Sequence, residues 1–232
     1  LNSHYTPKFL IEFLWKIVQK AGITGGAFGE FGAGVGHFIG MMPETINGHF
    51  TAVELDDISG RIMKQLYPNE KIIVNDLAKT LIPKNSLDLV IGNVPFGQAG
   101  VYDSDYVGYN LHNYFIARAL DALKPGGMAV LLTSASTMDS ITARANFASR
   151  AALLAAIRLP NTAFAEIGTE VVADILILQK GAENKEQFLE LKAIETADNT
   201  GVMRINEYFV KHPEMILGIP SNAGKMYGRT GS

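Results

Sequence analysis

The 232-residue chain contains no cysteine. That absence excludes disulfides, thiolate zinc sites and a cysteine nucleophile together, and it accords with a reducing compartment. The five histidines are scattered, with none at the spacing of a helical ligand pair, so no metal site is expected. No apolar run reaches the about eighteen residues that span a bilayer, and no basic segment followed by an apolar stretch opens the chain. Neither a membrane span nor a secretory leader is expected, and the expected location is the cytoplasm. Charge of one sign is also missing: twenty Lys and Arg stand against twenty-three Asp and Glu, a formal net charge of −3. A chain that gripped nucleic-acid backbone alone would ordinarily be basic, so any such grip must be local or supplied by a partner. There is no G-x-S-x-G elbow of a serine hydrolase. Residues 218–225 imitate a phosphate loop, but the glycines are one residue too far apart and Met226 stands where Ser or Thr belongs. The opening Leu1-Asn2-Ser3 lacks an initiator methionine, and a piece of a longer protein is expected.

What is present suits a sizeable core, with 47% apolar and 19% charged residues. From residue 7 to about 180, short apolar strands alternate with amphipathic helices. Residues 7–20 place Phe9, Leu10, Phe13, Leu14, Ile17 and Val18 on one helical stripe, with Thr6 as N-cap and Pro7 in the first turn. Strands are expected at 27–31, 50–55, 71–75, 87–91, 128–134, 154–159 and 171–179. Helices are expected from 37, at 59–66, at 112–123 before Lys124-Pro125-Gly126-Gly127, and at 144–152. Near-continuous apolar strands between helices indicate a doubly wound, mostly parallel α/β sheet. Residues 1–180 read as this domain. Residues 181–232, in which 187–194 still look ordered and 196–232 mix turns and short apolar pieces, read as a linker or docking segment toward an absent domain.

Glu30-Phe31-Gly32-Ala33-Gly34-Val35-Gly36 falls at a strand-to-helix turn. Glycines there let backbone approach a ligand and leave helix N–H groups pointing at it. The sixth residue from Gly32 is His37, so the dinucleotide G-x-G-x-x-G is absent. The spacing is G-x-G-x-G with an acid two residues ahead, the form usual for S-adenosylmethionine sites; a tight turn without ligand is the alternative. Glu54 ends the next strand, where a carboxylate can accept from both ribose hydroxyls, and Asp76 ends the third, where it can accept from an adenine amino group. Singly, each also fits a solvated loop acid. Ligands in such sheets collect at the carboxyl ends of the strands, where all three features fall.

Asn93-Val94-Pro95-Phe96 follows the fourth strand directly. An ordinary turn favours these residues too. Together with Tyr5-Thr6-Pro7, the motif resembles the Asn-Pro-Pro-Tyr/Phe amino-methyltransferases, most closely the adenine-N6 DNA methyltransferases, over residues 5 to about 180. The resemblance implies a Rossmann-like, class I S-adenosylmethionine-dependent fold. It further implies cofactor contacts by Tyr5, Thr6, Glu30, Gly32, Gly34, Gly36, Glu54, Leu55, Asp76, Leu77 and Asn93, and acceptor binding by Asn93, Val94, Pro95 and Phe96. An exocyclic amine is a poor nucleophile because its lone pair is delocalised into the ring. The Asn93 side-chain oxygen and the Val94 carbonyl would accept its two N–H groups and aim the lone pair at the sulfonium methyl. Phe96 would stack on a base that must leave its duplex. Val94 departs from the family's first proline; it keeps the carbonyl and loses the fixed φ, so weaker preorganisation is expected.

Three further stretches, Glu54-Leu55-Asp56-Asp57-Ile58-Ser59-Gly60-Arg61, Ile91-Gly92-Asn93-Val94-Pro95-Phe96-Gly97 and Ala156-Ile157-Arg158-Leu159-Pro160-Asn161, narrow the resemblance. With Asn206-Glu207-Tyr208-Phe209 and His212-Pro213-Glu214-Met215, they look like the methylase portion of large phage- and plasmid-borne methyltransferase–helicase proteins. DNA is then the implied partner, handled jointly with a helicase domain on the same full-length chain.

Tyr102, Tyr106, Tyr109, His112 and Tyr114 follow the motif and read either as a loop that covers the substrate base or as partly buried aromatics. Residues 92–117 hold no Lys or Arg, so Arg144, Arg150 and Arg158 are the candidates for phosphate contact, with helix-surface solvation as the alternative. The expected activity is methyl transfer to adenine N6 in DNA. Transfer to RNA or to protein glutamine, and an inactive scaffold for a helicase, are the competing readings.

Overall fold

The computed structural model describes residues 5–95, 101–167, 171–184, 188–197 and 201–221. Helix α1 (Lys8–Lys20) buries Leu10, Ile11, Leu14, Trp15 and Val18, one position round from the expected stripe, and Phe9 is half exposed. The indole sets that rotation. Trp15 donates from Nε1 to the Phe38 carbonyl at 3.0 Å and meets Phe50 edge-on, and Phe50 in turn meets Phe28 edge-on. Pro7, rather than Thr6, is the N-cap, and the Thr6 hydroxyl is used elsewhere.

The chain continues through β1 (Gly25–Phe31), α2 (His37–Gly40), β2 (Asn47–Glu54), α3 (Asp57–Leu66), β3 (Lys71–Val74) and β4 (Leu87–Asn93). After these come α4 (Leu111–Ala122), β5 (Leu123–Ser134), α5 (Ser136–Asp139), α6 (Ile141–Ala148), β6 (Ala151–Arg158) and β7 (Ala173–Lys180). The seven strands form one sheet in the order β3-β2-β1-β4-β5-β7-β6. All neighbours are parallel except β7, which runs antiparallel to β5 and β6. The order in which strands are added across the sheet reverses between β1 and β4, which opens a crevice at their carboxyl ends. The two faces of the sheet carry separate apolar clusters, one under α1 and α2 and one under α4 and α6.

Two boundaries differ from the sequence expectation. The helix expected at 144–152 lies at Ile141–Ala148, and its alanine-rich tail opens β6. Ladder pairing of Ala151 and Ala152 with β7 overrides the helical preference of alanine. Lys124-Pro125-Gly126-Gly127 lies within β5, where the register shifts against β4 between Leu87 and Leu89.

Beyond Lys180, β8 (Leu191–Glu195) and β9 (Val202–Asn206) form an antiparallel hairpin that leads into α7 (Glu207–Lys211). Phe188, Ile205, Tyr208 and Phe209 are buried in the same cluster as α4. Asn206 fastens the segment. Fully buried, it donates from Nδ2 to the Met138 and Phe188 carbonyls, each at 2.8 Å, and accepts from the Tyr208 N–H at 2.8 Å. Its own N–H donates to Asp139 at 3.0 Å. The Asn206-Glu207-Tyr208-Phe209 motif is thus a structural latch onto α5. Among the described residues, no helix is long and apolar enough to cross a membrane.

Candidate functional site

The strand ends meet at the switch point between β1 and β4. Gly32, Gly34 and Gly36 all take positive φ after β1. At Gly34 (φ +58) a Cβ would find open space, so the backbone conformation alone selects glycine. At Gly36 (φ +81) a Cβ would also lie 2.6 Å from the Tyr67 ring and 2.9 Å from Met63. Gly32 faces Pro95, whose Cδ would sit 3.4 Å from a Cβ there, so the glycine turn and the Asn93 motif border one crevice.

Glu54, at the end of β2, holds that turn in place. Its Oε2 accepts from the Gly34 N–H at 2.7 Å and its Oε1 from the Asp56 N–H at 2.8 Å. A carboxylate offers about four lone-pair positions, so one on each oxygen stays open. Leu55 beside it is exposed. Asp76 caps the short turn of Leu77–Lys79 through a 2.9 Å bond from the Ala78 N–H, and Leu77 is buried beneath it.

Asn93 ends β4. Its Nδ2 donates to the Thr6 hydroxyl at 3.0 Å, which joins the chain's start to its fourth strand. Its Oδ1 is buried without a hydrogen-bond partner among the described residues. Such an acceptor is costly to leave unmet. The Val94 side chain is buried and lines, with Phe31, Gly92, Asn93 and Phe115, a narrow cavity beneath the crevice. Tyr5 is exposed and lies against His37 at the start of α2, with ring centroids 5.8 Å apart. Phe96 and Gly97 lie outside the described residues, as does the end of the 218–225 stretch.

Glu30 is 3% exposed, packs beside Gly92 and leaves Oε2 without a partner among the described residues. Burial, and then the Glu54 charge, hold its carboxyl well above the usual 4.5. In the window that opens at 4.5 and extends upward to the raised value, folded Glu30 keeps a proton that the unfolded chain has released. Stability therefore falls as pH rises through that window. Glu30→Gln is expected to remove this slope. The variant should gain stability over the native protein at pH 8 and little at pH 4.5, as urea unfolding at the two pH values will read.

Sequence reasoning missed Arg118. It donates to the Leu77 carbonyl (3.0 Å), Asp103 (3.0 Å), Tyr114 Oη (2.8 Å) and the Thr80 carbonyl (2.8 Å). It thereby ties the Asp76–Leu77 turn to the loop that precedes α4. The signal was its place as the first basic residue after a Lys- and Arg-free stretch. The tyrosines divide. Tyr106 and Tyr114 are buried and donate to Asp121 (2.6 Å) and Asp103 (2.8 Å), and burial and those carboxylates push both phenols up. Tyr109 packs edge-on against Tyr106, and Tyr102 alone stands fully in solvent at 95% exposure.

Of the three arginines expected to meet phosphate or solvent, the fold buries Arg144 and Arg158 and leaves Arg150 partly exposed in an ion pair. Arg144 is buried and donates to the Met138 and Leu189 carbonyls. Arg150 pairs with Asp121, and Arg158 with Asp174 and Asp139. Among the described residues, no cluster of side chains could hold a metal ion.

No family model matches the chain. It is 31% identical over 214 residues to the Defense against restriction protein B of Escherichia phage P1, an alignment that takes 88% of this chain and 9% of that protein. The chain thus spans about a tenth of the length of the curated relative it matches. Among solved structures, it superposes on a Listeria monocytogenes protein assigned to the class I S-adenosylmethionine-dependent methyltransferases. The TM-score is 0.63 at 20% identity, over 80% of this chain and 65% of that one. It also superposes on the methyltransferase subunit of a type I restriction-modification system from Streptococcus thermophilus, with a TM-score of 0.64 at 16% identity, over 77% of this chain and 45% of that one. At these identities the likeness is one of fold. The architecture is that of the class I S-adenosylmethionine-dependent methyltransferases.

Proposed function

We propose that this chain is an S-adenosylmethionine-dependent methyltransferase that acts on the exocyclic N6 of adenine in DNA. The observation that carries the proposal is the unpartnered Asn93 Oδ1, buried at the end of β4 beside a turn of three left-handed glycines. The residues present fit the cofactor: Glu30 offers a second buried polar atom without a partner among the described residues, and Glu54 keeps open lone pairs at the turn. S-adenosylmethionine supplies an electrophilic sulfonium methyl when bound.

The chain's own groups divide the remaining work. Glu54 accepts from the ribose hydroxyls, Asp76 accepts from the cofactor's adenine amino group, and Leu55 and Leu77 wall its ring. Tyr5, Thr6 and Glu30 border the methionine end. Asn93 Oδ1 and the Val94 carbonyl accept the two N–H groups of the target amine, which localises the lone pair on nitrogen. Phe96 stacks on the extruded base, and Pro95 keeps that strand end against Gly32. Thr6 turns the Asn93 amide so that oxygen, and not nitrogen, faces the acceptor.

DNA is the proposed partner and the cytoplasm the proposed location. The net charge of −3, the burial of Arg144 and Arg158, and the pairing of Arg150 with Asp121 support a shared grip in which a further domain of a longer protein, a helicase, presents the strand. Residues 1–180 form the catalytic unit in this proposal, and residues 181–232 dock on it and lead toward that further domain. The test offers S-adenosylmethionine with double-stranded DNA, single-stranded DNA, RNA and protein, and assigns the methylated product by mass spectrometry. N6-methyladenine in DNA is expected, with a thermal stabilisation that grows with cofactor concentration. Product only in RNA or on glutamine would overturn the acceptor. Neither product nor stabilisation would leave a scaffold.

A further inference from the structure

The residue after Asn93 is held to the sheet by its backbone. The Val94 N–H donates to the Leu132 carbonyl at 2.8 Å, one step beyond the Asn93–Leu132 pair that ends the β4–β5 ladder. Leu132 is fully buried and Val94 is 4% exposed, so no water competes for this bond. A proline at position 94 would fix φ, yet it has no N–H and would set ring carbon where the hydrogen lies. The buried Leu132 carbonyl would lose its donor, and the strand end that carries Asn93 would move off β5.

We infer that Val94 is a positioning residue: its N–H bond to Leu132 registers Asn93 and the position-94 carbonyl against β5, in place of the ring that the resembling motif uses. The expectation of weaker preorganisation is thereby reversed, because the constraint has moved from φ to a ladder hydrogen bond. The inference rests on the proposed methyl transfer for its kinetic arm and on the hydrogen bond alone for its structural arm.

The kinetic arm measures kcat and KM for the native protein, Val94→Ala and Val94→Pro, with cofactor-induced thermal shift as the folding control. Val94→Ala keeps the N–H and the carbonyl and is expected to lose less of kcat than Val94→Pro. Val94→Pro is expected to lower kcat by about tenfold or more, the worth of one hydrogen bond in a barrier, with KM for S-adenosylmethionine unchanged. A Val94→Pro protein as fast as the native one overturns the inference. So does a Val94→Ala protein that falls as far as Val94→Pro, since the side chain would then be responsible. The structural arm follows amide hydrogen exchange in the native protein and decides the matter if Val94→Pro does not fold. A Val94 amide protected like those of Val90 and Ile91 supports the inference; exchange at the rate of an open loop overturns it. Absence of methyl transfer by the native protein would count against the proposed function, and the exchange result would still decide the role of Val94.

Discussion

Asn93→Ala is expected to lower kcat for methyl transfer by about a hundred- to a thousandfold, with S-adenosylmethionine still bound. Removal of one preorganised hydrogen-bonding group aimed at developing charge costs about that much in other enzymes. Asn93 Oδ1 is buried and has no partner among the described residues, while Nδ2 is fixed to Thr6. As the amine attacks the methyl, its nitrogen gains positive charge, so an N–H···Oδ1 bond strengthens along the reaction. Interactions stronger in the transition state than in the ground state raise kcat rather than lower KM. Asn93→Asp keeps an acceptor oxygen at the same place and can accept from the Thr6 hydroxyl. It is expected to retain more activity than alanine, although its charge changes the preferred acceptor. Single-turnover rates on adenine-containing DNA, beside cofactor affinity by thermal shift, separate the two effects. An Asn93→Ala protein with native kcat would remove Asn93 from the chemistry.

The features of the site that were legible in the sequence are local ones. A glycine turn after one strand and an acid at the end of each of the next two can be read because strand ends follow from apolar runs and the α/β pattern sets their common edge. Thr6 was legible only through resemblance, as a cofactor contact. Its bond to Asn93 spans 87 positions, and no periodicity reports such a pair. Arg118 was passed over for the same reason, since three of its four acceptors lie on two loops that the fold brings together. Arg144 and Arg158 were misplaced because charge predicts exposure only while no buried partner is known. The segment after Lys180 gave little sequence signal. Its strands are short and polar on one side, and its order comes from Asn206 and a few aromatics docked into a core built elsewhere. The α1 stripe shows how fine the limit is: the period was right, and one indole hydrogen bond turned the buried face by a residue.

Arg158→Met is expected to cost about 3–5 kcal/mol of stability, the usual penalty for removing one partner of a buried ion pair. Arg158 donates from Nε and Nη2 to the two oxygens of Asp174, each at 2.9 Å, and lies 3.0 Å from Asp139. Asp174 is fully buried. Burial pushes its carboxyl up, and the Arg158 guanidinium pulls it back. Without Arg158, the charge at Asp174 has no compensation and the group takes up a proton. The guanidinium also covers the Phe209 ring, 4.4 Å from its centroid, and the Arg158 carbonyl receives the Leu217 N–H at 2.9 Å. The loss should therefore loosen the segment latched by Asn206 before the main sheet. The pH dependence has a definite sign. A carboxyl raised in the folded state favours folding below its unfolded value of 3.8 and loses that contribution as pH rises toward the folded value. Arg158→Met should consequently stand closer to the native protein at pH 4.5 than at pH 8, and adding Asp174→Asn should recover stability at pH 8. Urea unfolding of the native protein and both variants at the two pH values reads all of this. A pH-independent loss that Asp174→Asn did not relieve would place the role of Arg158 in packing against Phe209 instead of in its charge.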